Sequence, residues 1–220
     1  MVAHDGLPTD AEIAALGPPL FTWEELMDIV DGGDLGLLKR QPALQRRYDE
    51  WTKGTKARYG TIETFLLERR LHWSPPPMLS SADSFSPSTP STHYRAVRND
   101  WPYSVPADVV HFVVWSAVPL IGPGDLGEAV ERKGMWGFTG GAEHRPPAGE
   151  DEGKGEDRRG FGGESGEGIT AFVKREWPEE EWETAWFMNP PKLQSVRGLV
   201  HFHVFALPKA KKARTHGTHS

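Results

Sequence analysis

Two long stretches that read as unable to pack divide this 220-residue chain and limit what the rest can become. From Ser74 to Thr92, 14 of 19 residues are Ser, Pro or Thr, a composition suited to an extended or disordered linker. From Gly140 to Gly168 there are ten Gly and twelve charged residues, with Phe161 the only large apolar side chain. Burying so little apolar surface does not offset the entropy of ordering, so a disordered insertion is expected there. Residues 1–19 read as a flexible N-terminal tail. Residues 209–220, with Lys209, Lys211, Lys212 and Arg214, read as a basic C-terminal tail. What remains of 20–208 suits one hydrophobic core and is expected to be a single domain.

The first block, 20–73, reads as helical. Thr22-Trp23-Glu24-Glu25 has capping-box spacing, Leu26, Ile29 and Val30 follow at helical intervals, and Gly32-Gly33 ends the run. Leu44, Tyr48 and Trp51 mark a second amphipathic helix over roughly 41–57. A third begins near Thr61, with Ile62, Phe65 and Leu66 on one face, and stops before Pro75-Pro76-Pro77. The second block, 94–138 and 169–208, is strand-rich. Val109 to Trp115 is a near-continuous apolar run of the kind covered on both faces, and Leu199 to Leu207 is another, closed by Pro208. Thr170-Ala171-Phe172-Val173 fits either a helix or a strand. A helical half followed by a strand-rich half indicates an α+β domain.

Composition removes several classes of function. There is no cysteine, which rules out disulfides, thiolate metal sites and a cysteine nucleophile. A net charge of −6 argues against binding nucleic acid by phosphate neutralisation. Met1 to Asp10 lacks a basic and apolar leader pattern and no 18-residue apolar stretch occurs, so a cytoplasmic location away from membranes is expected. Gly32-Gly33 and Gly162-Gly163 lack the context of a phosphate loop, and no cofactor is implied.

Chemistry concentrates near the last strand. His201 and His203 alternate, so they share a face about 6.6 Å apart along the strand, with Phe202 and Val204 on the other. Two imidazoles on an apolar strand need hydrogen-bond partners, a metal or a cleft. His111, in the other apolar strand, approaches the pair if the two strands are neighbours. Asn99-Asp100 before Trp101-Pro102-Tyr103 forms a turn able to cap backbone groups or hold a ligand hydroxyl. Asn189, Gln194 and Ser195 sit in the loop before the histidine strand and can present short polar groups to an anion.

Five segments together resemble the fungal N-acetylglucosamine-induced protein family, a domain of unknown function. They are Phe21-Thr22-Trp23-Glu24-Glu25-Leu26, Asn99-Asp100-Trp101-Pro102-Tyr103, His111-Phe112-Val113-Val114-Trp115, Trp186-Phe187-Met188-Asn189-Pro190, and Ser195-Val196 before His201-Phe202-His203-Val204. That resemblance implies a link to amino-sugar metabolism. More distantly, Asn189, Gln194-Ser195-Val196 and His201-Phe202-His203-Val204-Phe205 are similar to the closing segment of histidine-triad hydrolases and transferases. There a Gln-Ser-Val turn precedes a His-φ-His-φ-His strand in a mainly antiparallel sheet. In this register His203 matches the nucleophile, His201 the residue that orients it, and Ser195 a donor to phosphate oxygen. Phe205 replaces the third histidine, removing a general acid typically worth about 10²–10⁴ in rate. The interval from Ser195 to His201 is also longer than in triad proteins.

Three functions fit these residues. One is a nucleotidyl hydrolase or transferase acting on a nucleotide or amino-sugar nucleotide, with a phosphate leaving group that needs little protonation. The second is a protein that binds a nucleotide or sugar phosphate without turnover. The third is a metal site on His111, His201 and His203.

Overall fold

The structure, a computed structural model, describes residues 5–73, 84–122, 127–144 and 160–210. Its helices are α1 (Asp10–Ala14), α2 (Trp23–Asp31), α3 (Pro42–Tyr59), α4 (Ile62–Phe65), α5 (Glu128–Lys133) and α6 (Gly163–Glu176). The strands β1 (Tyr94–Arg98), β2 (Val110–Ser116), β3 (Met135–Thr139), β4 (Trp182–Met188) and β5 (Val200–Pro208) form one antiparallel sheet in the order β1-β2-β5-β4-β3. The domain is α+β, and its two apolar runs are the neighbouring strands β2 and β5.

The local signals of the helical block act as written in the sequence. Thr22 Oγ1 accepts the Glu25 N–H and Glu25 Oε2 accepts the Thr22 N–H, closing the box that starts α2. Helix α4 continues into a π-helical stretch, Leu66–Leu71, ended by His72 in the left-handed conformation at φ 54°. Thr170 to Val173 lies inside α6.

Strand alternation gives the sheet two unlike faces. On one, Val114, Phe202, Val204 and Trp186 pack against Ile169, Phe172 and Val173 of α6. The other carries the histidines and is covered in two pieces. Trp23, Leu26, Met27 and Val30 of α2 lie over Phe187, Phe205 and Trp136. Ile62, Phe65, Leu66 and Leu71 lie over Val113 and Trp115.

Both inserts have ordered margins. Phe85 is 1 % exposed, and its ring sits 4.7 Å from Phe172 and 5.6 Å from Phe202. One buried aromatic thus anchors a stretch whose average composition is that of a linker. Phe161 exchanges both main-chain hydrogen bonds with Trp136, and α6 begins at Gly163. Residues 74–83 and 145–159 lie outside the described residues. In the N-terminal segment the Asp5 carbonyl accepts from Trp51 Nε1 at 2.9 Å, and α1 begins at Asp10. Lys209 N–H donates to the Glu181 carbonyl, and 211–220 are outside the described residues.

Candidate functional site: a histidine relay between two apolar covers

The register between β2 and β5 pairs His111 with Phe205, Val113 with His203 and Trp115 with His201. All six side chains therefore project from one face. His111 reaches diagonally to His203, and its Nε2 lies 3.0 Å from His203 Nδ1.

Hydrogen-bond partners fix the tautomers. The Tyr103 N–H donates to His111 Nδ1 at 3.2 Å, so that nitrogen carries no proton when the ring is neutral. His111 Nε2–H then donates to His203 Nδ1, which leaves the His203 proton on Nε2. His201 is the opposite tautomer, with its Nδ1–H donating to the Leu199 carbonyl at 2.8 Å and its Nε2 lone pair unspent. No group among the described residues is hydrogen-bonded to either remaining Nε2.

Burial keeps the relay neutral. His111, His201 and His203 are 4, 7 and 8 % exposed, and desolvation disfavours the imidazolium. Burial, with the nearby Arg40 guanidinium, pulls the His111 pKa down to about 3. His203 is held well below the usual histidine range by burial, then by His111, His201 and Arg40. Burial lowers His201 too, opposed by its bond to Leu199. Aromatic rings fix the orientations. Phe187 stacks on His203 at 4.9 Å, Tyr103 on His111 at 5.2 Å, and Trp115 lies 4.6 Å from His201.

The other sequence candidates divide. Asn99 joins the cluster, with its main-chain N–H donating to the His111 carbonyl and its Oδ1 accepting the Trp101 N–H. Its Nδ2 sits 3.4 and 3.3 Å from the two ring nitrogens of His111, a position beside the ring rather than on one lone pair. Asp100 is committed to Arg70 through two bonds of 2.8 and 2.5 Å, and burial raises its pKa against that cation. Its main work is to pin the 99–103 turn to the π-helical stretch. Asn189 is buried, and its Oδ1 has no partner among the described residues. Gln194 turns inward and donates to the Asn189 carbonyl, while Ser195 is exposed. Ser195 makes no hydrogen bond to the histidines.

Two participants carry no sequence signal of their own. Arg40 lies over Tyr48 at 4.2 Å and donates through Nε to the Trp101 carbonyl, a placement made only by the tertiary fold. The Leu199 carbonyl follows from strand alternation once His201 is placed. A cleft of about 410 Å³ reaches the cluster from one side, with Asn99, Asp100 and His111 at its inner end. Among the described residues no group of three or more His, Asp or Glu side chains is arranged to hold a metal ion. The facing nitrogens of His111 and His203 are already bonded to each other. No described helix is long and apolar enough to cross a membrane.

This chain is similar to known proteins over most of its length. An uncharacterized protein of Saccharomyces cerevisiae, YPL067C, is 29 % identical over 185 residues, covering 83 % of this chain and 76 % of its own. The crystal structure of HTC1 superposes with a TM-score of 0.56 at 27 % identity, covering 85 % of each chain. The family model described as protein of unknown function DUF3605 matches residues 22–133 and 151–207, and the chain belongs to that family.

Proposed function

We propose that the histidine face is a nucleotidyl or phosphoryl hydrolase or transferase site of histidine-triad type, with His201 rather than His203 as nucleophile. The observation that carries this reading is the tautomer of His201. Attack through Nε2 requires its lone pair, and the Leu199 carbonyl holds the proton on Nδ1. His203 has the opposite arrangement and offers an N–H. Moving the triad register by two residues accommodates both. Leu199 takes the first position, His201 the nucleophile's and His203 the last, and the excess interval after Ser195 shrinks. Phe205 then no longer stands for a missing acid.

In the first step His201 Nε2 forms a bond to phosphorus as the bond from phosphorus to the leaving oxygen breaks. His203 Nε2–H donates a hydrogen bond to an oxygen gaining charge, a contribution of about 10²–10³ in rate for one such donor. A neutral relay has no spare proton to give, so the leaving group departs as a phosphate anion. Water then attacks phosphorus, the P–N bond breaks with its electron pair returning to Nε2, and the proton lost by the water passes to solvent. This chemistry suits a nucleotide sugar, including an amino-sugar nucleotide, or a dinucleoside polyphosphate. The unpartnered Asn189 Oδ1 is an acceptor available to a ligand hydroxyl or amide.

The test is incubation with UDP-N-acetylglucosamine, dinucleoside polyphosphates and AMP conjugates, followed by alkaline quench and intact mass. A nucleotidyl adduct on His201 is expected, lost in His201→Ala. Turnover retained in that variant, or absence of both adduct and turnover with every compound, overturns the proposal. Binding without turnover is the second reading, favoured by the low exposure of His201 and His203. It predicts ligand-dependent thermal stabilisation following RT ln(1 + [L]/Kd) with silent kinetics.

A further inference from the structure

We infer that the cleft ending on Asn99 and His111 is a binding site for an uncharged, largely apolar small molecule, entered by movement of residues 8–16. The cleft shares His111 with the relay, but the inference does not rest on the phosphorus chemistry proposed above.

The cleft's volume of about 410 Å³ falls in the range of small-molecule sites, roughly 300–1,000 Å³. Ile13, Leu16, Leu44, Tyr103, Val105 and Val109 give it apolar walls. Three charged residues line it, Asp10, Arg98 and Asp100, and each is already paired. Arg98 meets Asp10 at 2.9 Å, and Arg70 holds Asp100 with two bonds. With the strap closed, a phosphate or carboxylate finds no unpaired cation there. A neutral ligand loses nothing, and its polar atoms would meet the Asn99 amide at the closed end.

The outer wall is a strap. Pro8, Asp10, Ile13, Ala14 and Leu16 all face the cleft, yet α1 has no buried residue. The strap lies between two glycines in the left-handed region, Gly6 at φ 76° and Gly17 at φ 101°. Beyond each glycine the chain is anchored. Trp51 Nε1 and Arg69 hold Asp5, while Gln41 Nε2 donates to the Pro18 carbonyl and Ser104 Oγ accepts the Leu20 N–H. Leu7 belongs to the firm end, since it packs against the Ile62, Phe65 and Leu66 cluster and its carbonyl accepts from Arg47. From residue 8 onward the side-chain ties to the body are the exposed pairs Arg98–Asp10 and Arg47–Glu12, each typically worth at most about 1 kcal/mol. Firm ends, permissive glycines and weak central ties are the properties of a segment that can open as a unit.

Two fluorescent probes with the same ring system separate the possibilities: neutral N-phenyl-1-naphthylamine and anionic 8-anilino-1-naphthalenesulfonate. Saturable binding of the neutral probe at one site is expected, with affinity about ten-fold or more above the sulfonate, because an unpaired charge is costly to bury. Leu16→Trp, which fills the cleft from the half-exposed strap, should abolish binding. Leu16→Lys should shift the preference towards the sulfonate. The native chain has no cysteine, so Asp10→Cys/Arg98→Cys can be bridged selectively with a short bismaleimide, and bridging should slow probe association about ten-fold or more. Non-saturable binding, equal affinity for the two probes, or indifference to both Leu16 variants overturns the site. Unchanged association after bridging overturns the strap as its entrance.

Discussion

His111 makes a sequence of contacts that no other side chain in the sheet can replace. Its Nδ1 satisfies the Tyr103 N–H, its Nε2 satisfies His203 Nδ1, and its carbonyl accepts from Asn99. His111→Leu keeps the volume and removes both ring partners, leaving a donor and an acceptor buried and unpaired. Each costs about 1–3 kcal/mol, so a loss of about 2–5 kcal/mol is expected in urea unfolding. A loss below about 1 kcal/mol would mean that water replaces the ring. Alternation in Val110-His111-Phe112 is enough to set this histidine on the face of His201 and His203 once the strands are neighbours. The Tyr103 N–H, which decides the tautomers, leaves no trace in sequence, because a backbone donor is the same in every residue but proline.

At the scale of elements, legibility follows how local the determinant is. The box that opens α2 needs only Thr22 and Glu25, three residues apart, and the π-helical run begins where the third amphipathic stretch was expected to continue. Thr22→Ala should cost about 1 kcal/mol and loosen the helix that covers Phe187 and Phe205. Strands β3 and β4 carry no comparable signal, since Met135-Trp136-Gly137-Phe138-Thr139 has no clean alternation and is buried on both faces. Gly137 faces Thr170 of α6 across a close approach of helix and sheet. A Cβ there would lie 2.6 Å from Trp186 Nε1 and 3.0 Å from Thr170 Oγ1, the two atoms that hydrogen-bond at 3.1 Å. Gly137→Ala must displace that pair and should cost about 1–3 kcal/mol by overpacking, read as a lowered urea midpoint with the helical circular dichroism retained. Composition hid the start of α6, where Gly162, Gly163 and Gly166 imitate a linker while Ile169, Phe172 and Val173 supply the buried stripe.

The whole molecule sets a largely apolar sheet face against one holding three neutral imidazoles, and this imbalance has a pH signature. In the unfolded chain these histidines titrate near pH 6.5, whereas in the fold burial holds all three below it, His111 at about 3. Above about pH 6.5 they are neutral in both states and contribute no dependence. As pH falls below that value the unfolded chain takes up protons that the folded one refuses, so stability declines with acid. A histidine that stays unprotonated in the fold contributes about 1.4 kcal/mol per pH unit, as His111 does across this range, and His203 and His201 add to it in the same direction. Carboxylates ordinarily titrate near 4, which leaves the interval from about pH 6.5 to 5 to the histidines. A domain with total stability of about 5–15 kcal/mol should lose a large part of it across that interval. Urea midpoints at about pH 8, 7, 6 and 5 should therefore be level over the first pair and fall over the second, with a net uptake of protons on unfolding. Replacing His203 with Phe removes one of the three and should flatten the acid limb. Midpoints constant from about pH 7 to 5 would mean that the imidazoles are solvated in the folded chain, and the relay would lose the dry surroundings on which its fixed tautomers depend.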